Sequence, residues 1–446
     1  MSNALRETAS LIWPAPARVR QVHGRAPRED RGAVLREFVL VPHARRPRLA
    51  LPVGAPRAAA DVVRKYSQGL TSTEYLTRSV LGALLGSRPV HALVRALLRD
   101  RLQVVVEGTV EGDVVDGPVG DEPVASLEAH VSSVLDTEVL LGLSVGPSRA
   151  NQKPVLQAVT PDGRTPAYVK LGIDPLTREL VRGEAEALAA YWNAPGDEEA
   201  RSVRAPRVLH HGTWRGLEVL VLEAVRPRRA GLTGLLAHRR RRTTEPVAAM
   251  AELAGRPGTV RARLCGDGAA PESPMAKAAH RFWERIAETP AALHDAEQAA
   301  AFAAAVDAVK ARYGDAEPVF GAWHGDWTPW NMVWDGDQVL LWDFERFALG
   351  VPVGADLAHY RLQSVLRDGG QAAAEALLAR PGWAAGPSVE GVPDAGAVND
   401  PEVVAAAYLL ELARRWALIA QLPAGGPLRE RTAWLLTRLR SVVSPP

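Results

Sequence analysis

The chain has 446 residues, more than one hydrophobic core usually organises, so its length predicts two or three structural units. Hydrophobic residues make up 47% and charged residues 23%, a globular balance that excludes a disordered tail, a collagen-like repeat and a disulfide scaffold. The 53 basic and 51 acidic residues leave a net charge of +2, which offers no bulk electrostatic reason to bind nucleic acid.

The single cysteine, Cys265, excludes an intramolecular disulfide and favours a reducing compartment, so we expect a cytoplasmic protein. We expect neither a signal peptide nor a membrane span, because no apolar run reaches the roughly 18 residues that a bilayer requires. Only five of the basic residues are lysines and the others are arginines, so each lysine is a mild pointer to function.

The sequence patterns in the first part of the chain predict a hairpin and several helices. Two apolar runs between Val34 and Val53 flank a turn-like segment and predict a β-hairpin, and a helix is predicted through AAADVVRKYSQ. From Thr73 to Arg101 apolar residues recur at helical spacing, and Pro89 divides two helices. Their arginines are interpreted as a solvated face, with peripheral contact to a membrane or a phosphorylated partner left open. Residues 110–121 suggest a linker.

Strand patterns follow, and then helices. Three short runs, TEVLLGLSVG, KPVLQAV and PAYVKLG, predict an up-and-down antiparallel sheet. A helix is predicted in LTRELVRGEAEALAAYW, followed by two strands in VLHHG and LEVLVLEAV. Further helices are predicted at 274–288, 296–313, 371–380, 400–421 and 427–440. The outline is a small sheet lobe followed by a larger helical lobe.

The most informative stretch runs from Trp323 to Phe347. It places Asp326, Asn331 and Asp343 at spacings of five and twelve residues, with the apolar run VLLW leading into Asp343. A carboxylate base beside the acceptor hydroxyl, with amide and carboxylate oxygens that hold a hard cation, is what phosphoryl transfer from a magnesium nucleotide requires. The alternative, in which these residues only cap turns and strands, does not explain why two spaced motifs follow a predicted sheet lobe.

These motifs, HGDWTPWN and DFE, resemble those of the aminoglycoside phosphotransferase and choline kinase-like family over roughly residues 131–446. The resemblance implies an α+β, bilobal protein kinase-like fold with a small antiparallel-sheet N-lobe and a mostly helical C-lobe. The chain adds an N-terminal α/β extension. We therefore expect an extension at 1–130, an N-lobe at 131–225 and a C-lobe at 226–446.

The same resemblance assigns roles around the two motifs. It implies Asp326 as the catalytic base, and Asn331 and Asp343 as magnesium ligands. Three further residues are expected to support the site: His324 bracing the catalytic loop, Glu345 at the second acidic position, and Asp356 tying the loop together by hydrogen bonds.

The predicted sheet lobe carries a second set of candidates. Lys170 ends the third predicted strand, where kinase-like folds place a lysine on the nucleotide phosphates and pair it with a glutamate of the next helix. Glu184 is the expected partner. Glu186 is its competitor, and it lies about 200° around the helix, so only one of the two can face the lysine.

The remaining nucleotide contacts are expected at main-chain groups. The predicted phosphate loop lacks a GxGxxG pattern, but Gly146 and Ser148 are small enough to let the main chain approach phosphates. Arg149 or Asn151 either reaches an anion there or lies at a hairpin tip. The last strand is expected to end in a hinge, with the carbonyl of Glu223 and the amide of Val225 facing adenine.

Few residues in the sequence indicate which acceptor substrate the protein binds. Trp327 and Trp330 are substrate candidates, because an indole face can stack on a sugar ring or a cation. Packing in the core beneath the loop is an equally good interpretation of these two residues. Trp334 is expected in the core. Arginines at 226–242 are interpreted as a solvated insert or as a surface for an anionic partner. No acidic cluster is evident that would gather a polycationic aminoglycoside.

The sequence thus predicts an enzyme, a kinase that uses ATP or another nucleoside triphosphate with Mg²⁺ and phosphorylates a hydroxyl of a small molecule or glycan. A peptide or protein kinase, with the extension as its recognition module, is the alternative enzyme. A nucleotide-binding pseudokinase scaffold is the alternative outside catalysis, although the intact lysine, aspartate and asparagine set argues against it.

Overall fold

In a computed structural model of the chain, the contacts between residues divide the protein into two compact units. We call Met1–Pro147, Lys153–Arg182 and Arg207–Ala224 the sheet unit, and Ser148–Gln152, Gly183–Pro206 and Val225–Pro446 the helical unit. The residues that the structure describes are 3–23, 33–41, 47, 49–65, 72–106, 125–144, 153–194, 201–227, 240, 244–266, 273–385, 399–422 and 425–443.

The sheet unit is built on an antiparallel sheet of nine described strands. These strands are β1 (Ala17–His23), β2 (Ala33–Val41), β3 (Leu49–Pro52), β4 (Asp100–Val106), β5 (Leu140–Ser144), β6 (Val155–Val159), β7 (Ala167–Gly172), β9 (Val208–Trp214) and β10 (Leu217–Glu223). Their order in the sheet is β1-β4-β2-β3-β5-β6-β7-β10-β9. The predicted hairpin is confirmed, because β2 and β3 pair antiparallel with Phe38 opposite Pro52. The linker predicted at 110–121 lies outside the described residues, and the three strands predicted after it are confirmed as β5, β6 and β7.

The N-terminal extension and the following strands share this one sheet. Strand β3 pairs with β5, with Leu49 opposite Ser144 and Ala50 opposite Leu143. Strands β1 and β4, which the sequence patterns did not predict, pair with each other, and β4 also pairs with β2. Arg18 and Arg20 of β1 alternate with buried residues, which is the period-two pattern of a half-buried strand, but a search for apolar runs alone overlooks it.

Five of the described helices lie wholly in the sheet unit, and α6 (Pro175–Asn193) is divided between the units after Arg182. The five are α1 (Asn3–Ile12), α2 (Pro56–Lys65), α3 (Ser72–Leu85), α4 (Arg88–Leu97) and α5 (Leu127–Val134). Helices α1 and α5 bury Leu5, Leu127 and Val131 in the same core as strand residues Leu141 and Val169. Helix α2 contributes to a second cluster with β3 and Val159.

Helices α3 and α4 occur where the sequence predicts them, on either side of the Ser87–Pro89 junction, but most of their large apolar residues are exposed. Leu85 is only 3% exposed and packs with α2. By contrast, the following residues are between 45% and 69% exposed: Leu76, Val80, Leu81, Leu84, Leu93 and Leu97. The helical periodicity therefore identified the elements and not the buried face.

The described part of the helical unit contains six helices besides the second half of α6. They are α7 (Val247–Gly255), α8 (Pro274–Ala287), α9 (Ala296–Tyr313), α10 (Ala355–Leu378), α11 (Pro401–Ala420) and α12 (Pro427–Val443). Two small sheets accompany them: β11 (Val260–Arg261), β12 (Val319–Trp323) and β15 (Ala348–Pro352) form one, and β8 (Val203–Arg204), β13 (Met332–Asp335) and β14 (Gln338–Leu341) form the other. Short 3₁₀ helices occur at Thr289–Ala292 and Phe344–Arg346.

The predicted α+β class is thus confirmed. Four of the five helices predicted in this part of the chain match α8, α9, α11 and α12 closely. The fifth helix, predicted at 371–380, corresponds only to the second half of α10, and its first half was not predicted. The two halves meet at Gly370, where φ is 67° and ψ is −162°, so the helix is interrupted there. Among the described residues, no helix combines the length and apolarity needed to cross a bilayer.

Candidate active site

Two strand ends of the helical unit present the predicted catalytic residues. Strand β12 leads through His324 and Gly325 to Asp326, and β14 leads through Trp342 to Asp343. Gly325 has a φ of 79°, and a Cβ atom at this position would collide with the carbonyl oxygen of Arg346. Asp343 has a φ of 73° and a ψ of 55°, a left-handed conformation that is uncommon outside glycine but accessible to aspartate.

Asp356, in the first turn of α10, holds the main chain of the catalytic loop. Its Oδ2 accepts from the amide of His324 at 2.7 Å, and its Oδ1 accepts from the amide of Gly325 at 3.0 Å. Burial raises the pKa of Asp356 to about 6, although both amide hydrogen bonds act to lower it. The carboxylate of Asp356 thus binds two successive amides of the loop.

Arg415, from α11, holds the same loop from the carbonyl side. Its Nη1 donates to the carbonyl of Gly325 at 2.6 Å, and its guanidinium lies 4.4 Å from the ring centroid of Trp323. The Nε of Arg415 donates to Oε1 of Glu411 at 2.8 Å, and the Nε of Arg414 donates to Oε2 at 2.7 Å. Burial acts to raise the pKa of Glu411, but the guanidinium groups of Arg415 and Arg414 outweigh it and lower the pKa to about 2.

His324 is fully buried and connects the two strand ends. The amide of Asp326 donates to its Nδ1 at 3.3 Å, while its Nε2 lies 3.2 Å from the carbonyl of Trp342, the residue before Asp343. Desolvation lowers the pKa of His324 to about 4, so the ring is neutral and Nε2 carries the proton that it donates. Its ring centroid lies 4.7 Å from that of Phe344, edge to face. His324 therefore contacts both segments, and its role in bracing the catalytic loop stays a prediction.

The carboxylate of Asp326 is held at both oxygens. Asn331 Nδ2 donates to Oδ2 at 2.9 Å and to the main-chain carbonyl of Asp326 at 3.0 Å. His359 Nε2 lies 3.1 Å from Oδ1. The Asp326 side chain nevertheless remains 35% exposed, so part of a fixed carboxylate is accessible to solvent.

His359 and Tyr408 are residues of the site that sequence reasoning missed. His359 lies on α10, three residues after Asp356, and its Nδ1 is 3.2 Å from the hydroxyl of Tyr408 on α11. Both side chains are buried, at 4% and 1% exposure respectively. The signal for His359 was present in GADLAHY, because residues three apart share one face of a helix. Nothing in the sequence pointed to Tyr408.

Glu184 and Lys170 are both buried, in the helical unit and the sheet unit respectively. Glu184 Oε1 accepts from the amide of Phe344 at 3.2 Å, which anchors the segment that follows Asp343 to α6. Lys170 lies on β7, opposite Leu220 of β10 and Val155 of β6. The pairing of this lysine with Glu184 stays a prediction.

The other predicted site residues lie after Asp343, at the end of β10 and in the predicted phosphate loop. Glu345 is in the short 3₁₀ helix after Asp343, with its Oε1 3.8 Å from the Nε of Arg346. The amide of Glu223 donates to the carbonyl of Arg207 at 2.9 Å, and Val225 is half-buried. Gly146 and Ser148, together with the neighbouring Arg149 and Asn151, lie outside the described residues, as does most of the basic stretch 226–242.

The tryptophans of the loop separate into core and surface. Trp327 is fully buried and donates from Nε1 to the sulfur of Met332 at 3.3 Å, so the expectation that it stacks on a substrate does not hold. Trp334 is also buried, with the guanidinium of Arg240 4.2 Å from its ring centroid. Trp330 is half-buried and lies 4.6 Å from the guanidinium of Arg367. Trp330 remains the substrate candidate.

The chemistry of the donor set fits a magnesium ion. No group of three or more His, Cys, Asp or Glu side chains among the described residues could hold a metal by itself. Mg²⁺ keeps several waters and usually takes only one or two carboxylates from the protein. Because Nδ2 of Asn331 donates to Asp326, its Oδ1 is the amide atom that could bind a cation, together with the carboxylate oxygens of Asp343.

The chain was compared with models of protein families and with curated proteins. The profile of the phosphotransferase enzyme family matches residues 154–392, just over half of the chain. A search of curated proteins found no match.

Solved structures were also compared. Aminoglycoside phosphotransferase APH(4)-Ia is 15% identical, covering 71% of this chain and 97% of its own, with a TM-score of 0.44. A putative fructosamine-3-kinase from Haemophilus somnus 129PT is 12% identical, covering 71% and 97%, with a TM-score of 0.36. ADP-bound aminoglycoside phosphotransferase APH(2'')-Ib is 13% identical, covering 71% and 97%, with a TM-score of 0.38.

Proposed function

Because the chain belongs to the phosphotransferase enzyme family, we propose that it transfers the γ-phosphate of ATP to a hydroxyl group of a small molecule or glycan, with Asp326 as the catalytic base. The observation that carries this proposal is the Asp326 carboxylate, which is hydrogen-bonded at both oxygens and yet 35% exposed. A carboxylate fixed in this way can accept the proton of a hydroxyl placed against its accessible side.

In the proposed reaction, the acceptor oxygen forms a bond to the γ-phosphorus while the bond from that phosphorus to the bridging oxygen breaks. ADP leaves with the electron pair, and the hydroxyl proton passes to the Asp326 carboxylate. Phosphoryl transfer asks little covalent chemistry of the protein, so positioning is the main contribution of this chain. The contacts of Asp356, Arg415 and His324 with the loop support such positioning.

We assign Mg²⁺ to Asn331 and Asp343. When bound, the ion supplies positive charge that neutralises the phosphate oxygens. The left-handed conformation of Asp343, followed by Phe344 whose amide binds Glu184, holds this carboxylate at a defined point after β14. We also assign Lys170 to the nucleotide phosphates; its ammonium is one of only five lysine groups in the chain and is buried within the sheet unit.

The experiment compares purified variants in an ATP-consumption assay across a set of hydroxyl-bearing small molecules and sugars. Asp326→Ala is expected to lower the rate of phosphoryl transfer by roughly 100-fold or more. The variant should keep its affinity for the nucleotide, because only the base is lost. Asp343→Ala is expected to lose transfer and also the magnesium dependence of nucleotide binding, measured by titration calorimetry with and without Mg²⁺.

Asp337→Ala is the matched control. This carboxylate is fully exposed at its side chain, in the turn between β13 and β14, and its removal is expected to leave turnover unchanged. Full turnover by Asp326→Ala would refute the assignment of the base. Phosphorylated peptides in place of phosphorylated small molecules would favour a protein kinase, and nucleotide binding without any turnover would favour a scaffold.

A further inference from the structure

We propose that His359 is the positioning residue of Asp326, and that Tyr408 fixes His359 in turn. The proposal rests on the proposed function, in which Asp326 is the catalytic base. It is carried by two successive contacts: Tyr408 hydroxyl to His359 Nδ1 at 3.2 Å, and His359 Nε2 to Asp326 Oδ1 at 3.1 Å. They join a catalytic loop to two helices, α10 and α11.

The chemistry of the three groups determines the direction of these hydrogen bonds. An ionised carboxylate only accepts, so His359 Nε2 must carry the proton and donate it to Asp326. A neutral imidazole then accepts at Nδ1, and the Tyr408 hydroxyl is the donor. Burial raises the pKa of Tyr408, which keeps this hydroxyl protonated. The chain of donors therefore ends on the carboxylate.

The contact from His359 holds the second oxygen of a carboxylate that the loop itself holds at only one oxygen, through Asn331. Asn331 binds Oδ2 of Asp326 and His359 binds Oδ1, so the plane of the carboxylate is set by two donors on different elements. His359 is itself held by packing, with its ring centroid 5.8 Å from that of Tyr408, edge to face. A catalytic group performs well only when a packed and hydrogen-bonded shell holds its geometry.

If these two residues had a purely structural role, apolar residues would fill it at a lower cost in desolvation free energy. Two buried polar side chains cost desolvation free energy that their hydrogen bonds must offset. Tyr408 packs within the apolar core of the helical unit, with its ring centroid 6.2 Å from that of Trp383, where a phenylalanine would fill nearly the same space. The hydroxyl and the imidazole therefore point to the carboxylate that they serve.

The test measures ADP release from Mg-ATP with water as the acceptor, and with the fastest acceptor of the screen above. His359→Leu removes the donor and keeps apolar bulk; we expect kcat to fall roughly 10- to 100-fold while the KM for ATP changes less than about threefold. His359→Gln restores a donor near the position of Nε2, and we expect it to recover most of this loss. Tyr408→Phe is expected to lower kcat by a smaller factor.

The coupling between the two residues is tested by a double-mutant cycle. Because Tyr408 acts through His359, Tyr408→Phe is expected to add nothing in the His359→Leu background. Tyr313→Phe is the matched control, since Tyr313 is also buried in the helical unit and its hydroxyl donates to Oε2 of Glu402 at 2.9 Å, away from the site. It is expected to keep full kcat.

A measurement without turnover completes the test. Correlation of ¹⁵N and ¹H in the histidine rings, with His359 assigned by its Gln variant, is expected to show Nε2 protonated and Nδ1 unprotonated at neutral pH. The opposite tautomer would overturn the proposal. So would a kcat within twofold of wild type for His359→Leu, or equal losses in the Leu and Gln variants with a lowered unfolding temperature.

The failure of this proposal is distinguishable from failure of the proposed function. If Asp326→Ala is inactive while His359→Leu turns over normally, Asp326 remains the base and only its positioning by His359 is wrong. If Asp326→Ala also turns over normally, the proposed function itself is wrong.

Discussion

His324 illustrates how a single buried residue connects two motifs that are separate in sequence. It accepts from the amide of Asp326 and donates to the carbonyl of Trp342, so it ties the catalytic loop to the segment that carries Asp343. Protonation at Nδ1 would remove its acceptor and place a charge in the core. The neutral ring is thus part of the geometry of the site.

This yields a prediction about pH and stability. The folded-state pKa of His324, about 4, lies below its ordinary value of 6.5, so the unfolded chain takes up the proton first as the pH falls. The free energy of unfolding should therefore decrease between pH 6.5 and pH 4, by up to about 3 kcal/mol from this residue. Urea unfolding at pH 7, 5.5 and 4.5 measures it.

The variant His324→Gln keeps a donor near Nε2 but does not titrate, so its stability should fall less steeply over the same pH range. Glu411 and Asp356 titrate in both proteins and cancel in the comparison. Parallel pH profiles for the two proteins would contradict the assignment of this loss to His324.

Glu411 gives a second prediction at the residue scale, because its buried carboxylate neutralises the half-buried guanidinium groups of Arg414 and Arg415. Glu411→Gln leaves both charges with a neutral partner, and we expect a loss of about 3–5 kcal/mol in the free energy of unfolding. Glu402→Gln, on the same helix but with a side chain 51% exposed, should cost less than about 1 kcal/mol. Chemical denaturation compares the two; similar losses would rule out a special role for Glu411.

At the scale of elements, helix α3 shows that an apolar residue in a helical pattern need not be buried. Leu84 and Leu85 are adjacent, but they are 51% and 3% exposed. Both belong to the same apolar pattern in the sequence, which runs over more than one face of the helix. Only the contact of α3 with α2 decides which leucine is buried.

We therefore predict different costs for the same substitution at neighbouring positions. Leu85→Ala should lower the free energy of unfolding by about 2–5 kcal/mol, because it leaves a cavity beside α2. Leu84→Ala should change it by less than about 0.5 kcal/mol, as is usual at exposed positions. Thermal and urea unfolding of the two variants measure the difference, and equal losses would mean that the exposed face of α3 is covered in solution.

The start of helix α10 shows what element-scale pattern reading can recover. Asp356 and His359 are three residues apart in its first turns and contact the amides and the carboxylate of one loop. A helical reading of GADLAHY would have placed them on one face. The helix predicted at 371–380 begins farther along the chain and does not include His359.

At the scale of the whole molecule, the extension and the strands of the predicted N-lobe form one sheet within the sheet unit. The pairing of β3 with β5 continues the sheet, and Leu5 and Trp13 of the extension share a core with Leu141 and Val169. Removal of the extension would expose both an unpaired strand edge and apolar core surface. The extension is thus a structural part of its unit.

We predict that a chain truncated to begin at Ala125 does not fold as the full chain does. It should give little soluble protein, or a protein with no cooperative thermal transition of the sheet unit, because β5 loses its pairing with β3 and the core loses α1. In the full chain, Trp13→Ala should cost about 3–5 kcal/mol. A soluble truncated protein with an unchanged unfolding midpoint would show that the extension is independent.

The sequence by itself determined the family, the α+β class and the order of the candidate catalytic residues along the chain. Asp326, Asn331 and Asp343 lie within eighteen residues, and short spacings are set by local chain geometry. Tertiary structure alone decided that β4 lies between β1 and β2, that Leu85 and not Leu84 is buried, and that His359, Tyr408 and Arg415 hold the catalytic loop. Those contacts join residues far apart in the chain, so they depend on how strands and helices pack, which no local pattern records.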